Sequence, residues 1–186
     1  MVREIPVRPT VESDLSAITA IYAGAVAAGV GSYELEAPDV SEMTRRWQSR
    51  VSAGYPHIVA VVGDVVVGFS YAGRFRTRPA YRFLVEDSIF VAADAQGIGV
   101  GHALLAELIR LCEARGYRQM LALIAGGNEN PISTRLHERL GFRQAGLIEG
   151  SAFKHGRWID TLLMQRSLGD GKGSILPRLR SSQSTT

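Results

Sequence analysis

The chain has 186 residues, and 46% of them are hydrophobic, which is enough apolar material for one domain with a full core. Its formal net charge is +3, and most of that excess lies after Gly169, so a nucleic-acid partner is not expected. One cysteine excludes an internal disulfide or a multi-cysteine metal site, and we expect no metal. The sequence begins without an apolar signal-peptide core, and no apolar run approaches the roughly 18 residues that span a bilayer. We therefore expect a cytoplasmic protein that does not bind a membrane.

The first part of the sequence predicts a strand followed by two helices. Residues 5–8 have a short strand pattern, and an acidic segment at 12–14 precedes apolar residues at helical spacing. These apolar residues are Leu15, Ile18, Tyr22, Ala25 and Val26. After a loop at 31–39, Ser41 is predicted to cap a second helix, whose apolar face contains Met43, Trp47 and Val51.

The middle of the sequence predicts three strands and one long helix. Residues 57–75 contain two β-branched runs around Gly63 and Asp64, a pattern typical of a hairpin. Residues 85–91 predict the third strand. A glycine-rich segment follows it and leads into a helix that ends near Arg115.

The remainder predicts a strand, a short helix and two final strands. These elements lie at 120–125, 133–141, 142–150 and 158–168, with a loop at 126–131 before the short helix. Periodicity is lost from Gly169 onward. We therefore predict one domain over residues 1–168 and a mobile tail over residues 169–186.

The glycine-rich segment is a candidate anion-binding loop. Its residues are Gln96, Gly97, Ile98, Gly99, Val100 and Gly101. Because this loop lies between a strand and a helix, its backbone N–H groups can bind an anion at the positive end of the helix dipole. It does not match a dinucleotide-binding fingerprint, since His102 stands where a glycine is needed, and it lacks the lysine of a phosphate-binding loop. For isolated glycines, a plain tight turn is an equally good interpretation.

A second motif downstream favours anion binding. The run NENPISTRLHERLGF, at 128–142, and the Q-x-x-G-x-G form of the glycine loop together resemble the GNAT-type N-acetyltransferases. The resemblance covers roughly residues 3–167. Within that family, the chain most resembles the phosphinothricin and methionine sulfone acetyltransferase group. The stretches that carry this finer resemblance are YAGRFRTRPAYRFLVEDSIFV, RLHERLGF and FKHGRWID.

The resemblance implies an α/β fold with acetyl-CoA as the acetyl donor. The expected sheet is mixed and mostly antiparallel, has helices on both faces and splays at its central strands. The pyrophosphate of the cofactor would lie on the glycine loop, and its pantetheine arm would pair with the strand edge at Ile89, Phe90 and Val91. Asn130 would contact the cofactor near its acyl end, and a turn residue before Pro131 is the alternative interpretation.

Acyl transfer to an amine needs a base, and the departing thiolate benefits from an acid. Glu86 interrupts an apolar strand and by register faces the same side as Ser88 and Phe90, so desolvation would raise its pKa. The resemblance makes Glu86 the catalytic carboxylate and His137 the proton donor. A glutamate at a strand edge, solvated or paired with an arginine, and a surface histidine are the alternatives.

Direct transfer in a ternary complex is expected, because Cys112 continues the apolar face of its helix. A covalent acetyl-cysteine would need an exposed and activated thiolate. The predicted position of Cys112 in the core excludes that role.

The acceptor site is less well defined by the sequence. The resemblance implies that the segment RFRTRPAYR, at 74–82, helps to form the acceptor pocket, together with Tyr33 and Glu34. The residues expected to contact the acceptor are Tyr33, Glu34, Phe75, Arg76, Arg78, Tyr81 and Val85. Arginines in this segment could bind the carboxylate or acidic head of an amino-acid-like amine, and a solvated basic loop is the alternative. Leu84 stands where the group commonly has threonine, which puts phosphinothricin itself in doubt.

The expected function is therefore N-acetylation of a small amino-acid-like amine such as phosphinothricin, methionine sulfone or methionine sulfoximine. A protein or peptide acetyltransferase, acting on N-terminal or lysine amines, is the alternative. A non-catalytic CoA-binding module is disfavoured because Glu86 and His137 are both present. The resemblance also implies a homodimer, with the strand around Trp158 as the candidate contact, and it leaves His155 with no role beyond a turn or subunit contact.

Overall fold

The computed structural model describes residues 5–173. In chain order its elements are β1 (Val7–Pro9), α1 (Leu15–Ala28), α2 (Val40–Ser52), β2 (His57–Val62), β3 (Val65–Arg74), β4 (Leu84–Val91), α3 (Val100–Ala114), β5 (Gln119–Ala125), α4 (Pro131–Arg139), β6 (Arg143–Lys154) and β7 (Arg157–Ser167). Every predicted strand and helix is present, so the order of elements predicted from the sequence is confirmed. Among the described residues, no helix combines the length and the apolar character that crossing a membrane requires.

The strands form one seven-stranded sheet in the order β1-β2-β3-β4-β5-β7-β6. All neighbouring strands are antiparallel except β4 and β5, which are parallel because α3 connects them across one face. This mixed and mostly antiparallel sheet confirms the expected fold class.

Helices cover both faces of the sheet, and each face has its own apolar cluster. On one face, α1 and α2 pack on β2, β3 and β4, with Phe69 and Phe90 among the contacts. On the other face, α3 inserts Leu104, Leu105 and Leu108, all fully buried. Cys112 belongs to this second cluster, so its predicted core position is confirmed.

The central strands separate, as the resemblance implied. β4 pairs with β5 only through Leu84, Val85 and Glu86, although its pairing with β3 continues to Val91. β5 instead pairs with β7 along its whole length. The backbone of β4 beyond Glu86 therefore has no strand partner on its β5 side.

Two details of α2 differ from the sequence prediction. Asp39, rather than Ser41, caps the helix: its carboxylate accepts the backbone N–H of Glu42, and the Ser41 hydroxyl donates to the same carboxylate. The aspartate accepts better because it is charged and lies one residue before the first turn. Val51 is exposed rather than part of the apolar face, which is formed by Met43 and Trp47.

Residues 169–173, the start of the predicted tail, contact the domain. Asp170 pairs with Arg118 at 3.1 Å, and the backbone N–H of Gly169 donates to Glu113. Residues 174–186 of the predicted tail lie outside the described part of the chain.

Candidate active site

Glu86 lies on the face of β4 that α1 and α2 cover. It lines a cavity of about 400 Å³ together with Ser88, which confirms that the two share one face, and Arg50, Tyr71 and Arg74 also line it. Burial, with a smaller effect of the Asp87 charge, raises the pKa of Glu86. Among the described residues, the Glu86 carboxylate has no hydrogen-bond or ion-pair partner. It is therefore available as a proton acceptor for a molecule in the cavity.

The separation of β4 and β5 begins at Glu86 itself. Glu86 is paired with Leu121, and the next residues of β4 have no partner on that side. Ile89, Phe90 and Val91 are half-buried along this free edge. A strand-like ligand arm with amide groups can hydrogen-bond to such an edge.

The glycine loop connects this edge to α3. Gly97 has φ of 79° and Gly99 has φ of 99°, conformations that favour glycine, and Gly99 is the residue that precedes the first turn of α3. Gln96 and Ile98 are exposed, whereas Val100 is buried and fixes the helix on the sheet. Nothing lies within 4 Å of a side chain built at Gly97. The loop thus presents open backbone at a helix N-terminus, which fits a diphosphate.

Gly101 has a different role from the other two glycines. It lies in the first turn of α3, and a Cβ atom there would come within 3.2 Å of Leu136 on α4. Its small size therefore permits close packing of α3 against α4.

His137 lies on the opposite face of β4 from Glu86. It is 4% exposed, and its Nε2 atom is 3.1 Å from Oδ2 of Asp87, which is also buried. Its Nδ1 atom is 2.8 Å from the carbonyl oxygen of Ser133, so Nδ1 carries a proton. Burial lowers the pKa of His137, but the hydrogen bond and charge of Asp87 outweigh burial and leave the pKa raised.

Asn130 links β5 to α4. Its side-chain amide donates to the carbonyl oxygen of Ala125 at 3.3 Å, and its side-chain oxygen accepts the backbone N–H of Ser133. α4 consequently begins at Pro131, two residues before the predicted start. Asn130 caps the helix at the end of the strand that borders the opening.

Residues 75–83, between β3 and β4, are not among the residues that line the cavity. Arg76 and Arg78 are exposed, and Tyr81 packs its ring against Phe75 with centroids 5.6 Å apart. Val85 is fully buried in the cluster beneath α3, on the face opposite Glu86.

Tyr33 and Glu34 lie in the loop between α1 and α2. The Tyr33 hydroxyl is hydrogen-bonded to Thr161 on β7, so the loop extends across the sheet towards β7. Glu34 accepts hydrogen bonds from Tyr22 and Arg46. Its carboxylate is therefore already engaged within the protein.

A buried lysine holds the same loop in place. Lys154, at the end of β6, is 4% exposed, and its Nζ atom donates to the carbonyl oxygens of Val26 at 2.8 Å and Ser32 at 3.0 Å. The Ser32 hydroxyl in turn bonds to Tyr22 and to the backbone N–H of Glu34. The next residue, His155, has φ of 52° in the turn to β7, which agrees with the turn interpretation.

Four residues of the site were not identified from the sequence: Arg50, Tyr71, Asp87 and Lys154. The signal for Asp87 was its charge inside an apolar strand, next to Glu86. Lys154 lies within the stretch FKHGRWID, which gives no sign that the lysine is buried. Arg50 carries no local signal. Tyr71 is the first residue of the stretch YAGRFRTRPAYRFLVEDSIFV, but only the packing of α2 on β3 brings it to Arg50.

Comparison with known proteins agrees with this geometry. Residues 19–142 match the model of the acetyltransferase (GNAT) family. The chain is 47% identical over 169 residues to a phosphinothricin N-acetyltransferase of Alcaligenes faecalis, covering 91% of this chain and 85% of the relative. It is 35% identical over 158 residues to an L-methionine sulfoximine/L-methionine sulfone acetyltransferase of Pseudomonas aeruginosa, covering 84% and 90%.

A solved structure shows the same family relationship. A GNAT superfamily phosphinothricin acetyltransferase from Sinorhizobium meliloti, in complex with AcCoA, superimposes with a TM-score of 0.90 at 45% identity, covering 96% of this chain and 95% of that one. The resemblance inferred from the two motifs is thereby confirmed, and the chain belongs to the GNAT family of acetyltransferases.

Proposed function

We propose that this enzyme transfers the acetyl group of acetyl-CoA directly to the α-amine of a small amino-acid-like acceptor of the phosphinothricin, methionine sulfone or methionine sulfoximine type. One observation carries the proposal: the desolvated, unpaired carboxylate of Glu86 lies where β4 and β5 begin to separate. The names of the relatives in Alcaligenes faecalis and Pseudomonas aeruginosa support the acceptor class.

The proposed donor site lies along the opening between β4 and β5. Backbone N–H groups from Gln96 to Gly101 would bind the pyrophosphate, and the free β4 edge at Ile89, Phe90 and Val91 would pair with the pantetheine amides. Asn130, at the start of α4, would border the acyl end. When bound, acetyl-CoA supplies the thioester that the amine attacks.

Glu86 acts as the general base in this proposal. An ammonium group must lose a proton before its nitrogen can attack a thioester, and a carboxylate with a raised pKa is a stronger base than an ordinary one. The amide bond forms as the carbon–sulfur bond breaks. Cys112 takes no part, because it is fully buried and burial raises the pKa of its thiol to about 12.

His137 is proposed to return a proton to the departing thiolate. Both of its ring nitrogens are engaged in the structure, and Asp87 favours the charged imidazolium, which is a proton source. Transfer from Nε2 requires that its contact with Asp87 be exchanged for one with the sulfur. Replacement of His137 should therefore affect turnover more than acetyl-CoA binding.

The acceptor pocket would combine the cavity beside Glu86 with the two flanking loops. Arg76, Arg78 and Tyr81, with Phe75, are proposed to form its outer rim, where exposed arginines can contact an acidic side chain of the acceptor. Tyr33 and Glu34 would form the opposite wall. Val85 contributes through packing, since its side chain lies on the face of β4 that α3 covers.

The proposal includes a homodimer. β6 is an edge strand, and the β6–β7 hairpin exposes Leu147, Ile148, Phe153 and Trp158. An apolar patch on an edge strand is typical of an interface, and a second copy of the chain would cover it. Size-exclusion chromatography should give a dimer for the wild type and a monomer for Trp158→Arg, whereas a wild-type monomer would contradict this part.

A cytoplasmic location is also proposed, because the acetyl donor is available there.

The test of the proposed activity is thiol release from acetyl-CoA with a panel of amines. The panel contains phosphinothricin, methionine sulfone, methionine sulfoximine, a polyamine, an aminoglycoside and short peptides. Turnover with the amino-acid analogues alone would support the proposal. Turnover with peptides alone would instead indicate a protein acetyltransferase.

A further inference from the structure

We propose that Arg50 binds the α-carboxylate of the acceptor in the cavity that contains Glu86, and that it thereby selects α-amino acids over simple amines. This inference rests on the proposed function of that cavity. It assigns the acceptor's carboxylate to α2, rather than to the arginine-rich segment between β3 and β4.

Arg50 is held over the cavity by an aromatic ring. It lies in the last turn of α2, and its guanidinium carbon is 4.0 Å from the centroid of the Tyr71 ring. Tyr71 on β3 is paired with Ser88 on β4, which lines the same cavity as Glu86. Stacking on a ring fixes the plane of a guanidinium and leaves its N–H edges free to bind a carboxylate.

The hydrogen-bond donors of Arg50 are unused within residues 5–173. Its neighbours on α2 differ: Arg45 pairs with Glu42, and Arg46 pairs with Glu42 and Glu34. Arg74, the other arginine of the cavity, donates to the backbone carbonyls of Arg76 and Thr77. Arg50 is therefore the arginine of the cavity lining whose N–H donors no described side chain or carbonyl accepts.

The charges of the cavity match an α-amino acid. Glu86 offers a carboxylate for the amine, and Arg50 offers a guanidinium for an anion within the same 400 Å³ cavity. An α-amino acid carries its ammonium and carboxylate on one carbon, so both groups can be bound in a small space. A guanidinium binds a carboxylate through two parallel hydrogen bonds, which also orients the amine.

The chemistry of the proposed acceptors favours the α-carboxylate, rather than a side-chain group, as the ligand of Arg50. Phosphinothricin has an anionic phosphinate in its side chain, whereas the sulfone of methionine sulfone is uncharged. The amine and the α-carboxylate are common to both. The exposed Arg76 and Arg78 lie outside the cavity lining and remain available for a phosphinate at the rim.

The experiment compares Arg50→Met with the wild type on three acceptors: methionine sulfone, the carboxamide of methionine sulfone, and phosphinothricin. Because hydrogen bonds to charged groups are among the stronger ones, kcat/KM for both amino acids should fall roughly 10- to 100-fold. The carboxamide should be affected little, and KM for acetyl-CoA should not change. Arg50→Lys should keep part of the activity, since it retains the charge without the paired donors.

Arg45→Met is the matched control, because Arg45 lies on the same helix and is exposed in an ion pair with Glu42. It should leave all three acceptors unchanged. Equal losses on the carboxamide and on methionine sulfone in Arg50→Met would show a structural role and overturn the inference. A loss confined to phosphinothricin would assign Arg50 to the phosphinate and would also overturn it.

Calorimetric binding of methionine sulfone separates this inference from the proposed function. Weaker binding to Arg50→Met than to the wild type would support the role of Arg50 even if the enzyme did not acetylate this compound. Equal binding by the two proteins would contradict it even if the wild type turned methionine sulfone over.

Discussion

Glu86 and Asp87 are consecutive on β4, yet their carboxylates lie on opposite faces of the sheet. Glu86 lines the cavity beneath α2, whereas Asp87 is hydrogen-bonded to His137 on α4. The alternation of side chains along a strand produces this division. As a result, one carboxylate is unpaired and basic, and its neighbour is paired and holds a helix on the sheet.

The Asp87–His137 pair should make stability depend on pH. The pKa of His137 is raised in the folded state from its ordinary 6.5, so the pair stabilises the fold fully below that value and loses this contribution as pH rises through the folded pKa. Asp87→Asn should therefore lower the free energy of unfolding by about 3 kcal/mol near pH 6 and by less at alkaline pH.

Urea unfolding of the wild type and Asp87→Asn at the two pH values measures this difference. Asp94→Asn, a change of an exposed aspartate, is the control and should have no such effect. A loss of the same size at both pH values would show that the pair does not titrate as described.

The glycine loop should be sensitive to a side chain for a conformational reason. Gly97 and Gly116 have φ of 79° and 80°, and both have open space around them. Alanine at either position should cost roughly 1 kcal/mol of stability through backbone strain. Only Gly97→Ala should also weaken acetyl-CoA binding, measured by calorimetry. Equal affinities in the two variants would remove the loop from the donor site.

Lys154 should affect acceptor binding indirectly, because it holds the loop between α1 and α2 in place. Lys154→Met leaves two buried carbonyl oxygens without their donor, and we expect a loss of about 2 kcal/mol in the free energy of unfolding. The loosened loop should raise KM for the acceptor, while KM for acetyl-CoA stays unchanged. Steady-state kinetics with the exposed Lys172→Met as control tests this. Parallel changes in both KM values would show that the disturbance is not confined to the acceptor site and would contradict this prediction.

Much of the fold could be predicted from the sequence, because strand and helix periodicities are strong here and the glycine loop marks the junction of β4 and α3. One local feature was predicted wrongly. Ser41 was expected to cap α2, but Asp39 does so, since a charged carboxylate one residue before the helix competes better for the same N–H groups.

Features of the site could be predicted only where they depend on a single segment of the sequence. The face of Glu86 followed from the alternation of β4, and its raised pKa followed from that burial. The contacts of Arg50 with Tyr71, and of Lys154 with Val26 and Ser32, join segments far apart in the chain. Spacing within one element cannot predict such contacts.

The role of Glu86 as general base is tested by the pH dependence of kcat for Glu86→Gln beside the wild type, with acetyl-CoA affinity measured separately. If Glu86 is the general base, kcat should fall roughly 100-fold or more in Glu86→Gln, while acetyl-CoA binding is unchanged. The wild-type rate should decline towards acid below a pKa above the ordinary 4.5, and this decline should vanish in the variant. A Glu86→Gln enzyme with wild-type kcat, or one that loses acetyl-CoA binding and turnover together, would contradict the role of Glu86 as general base.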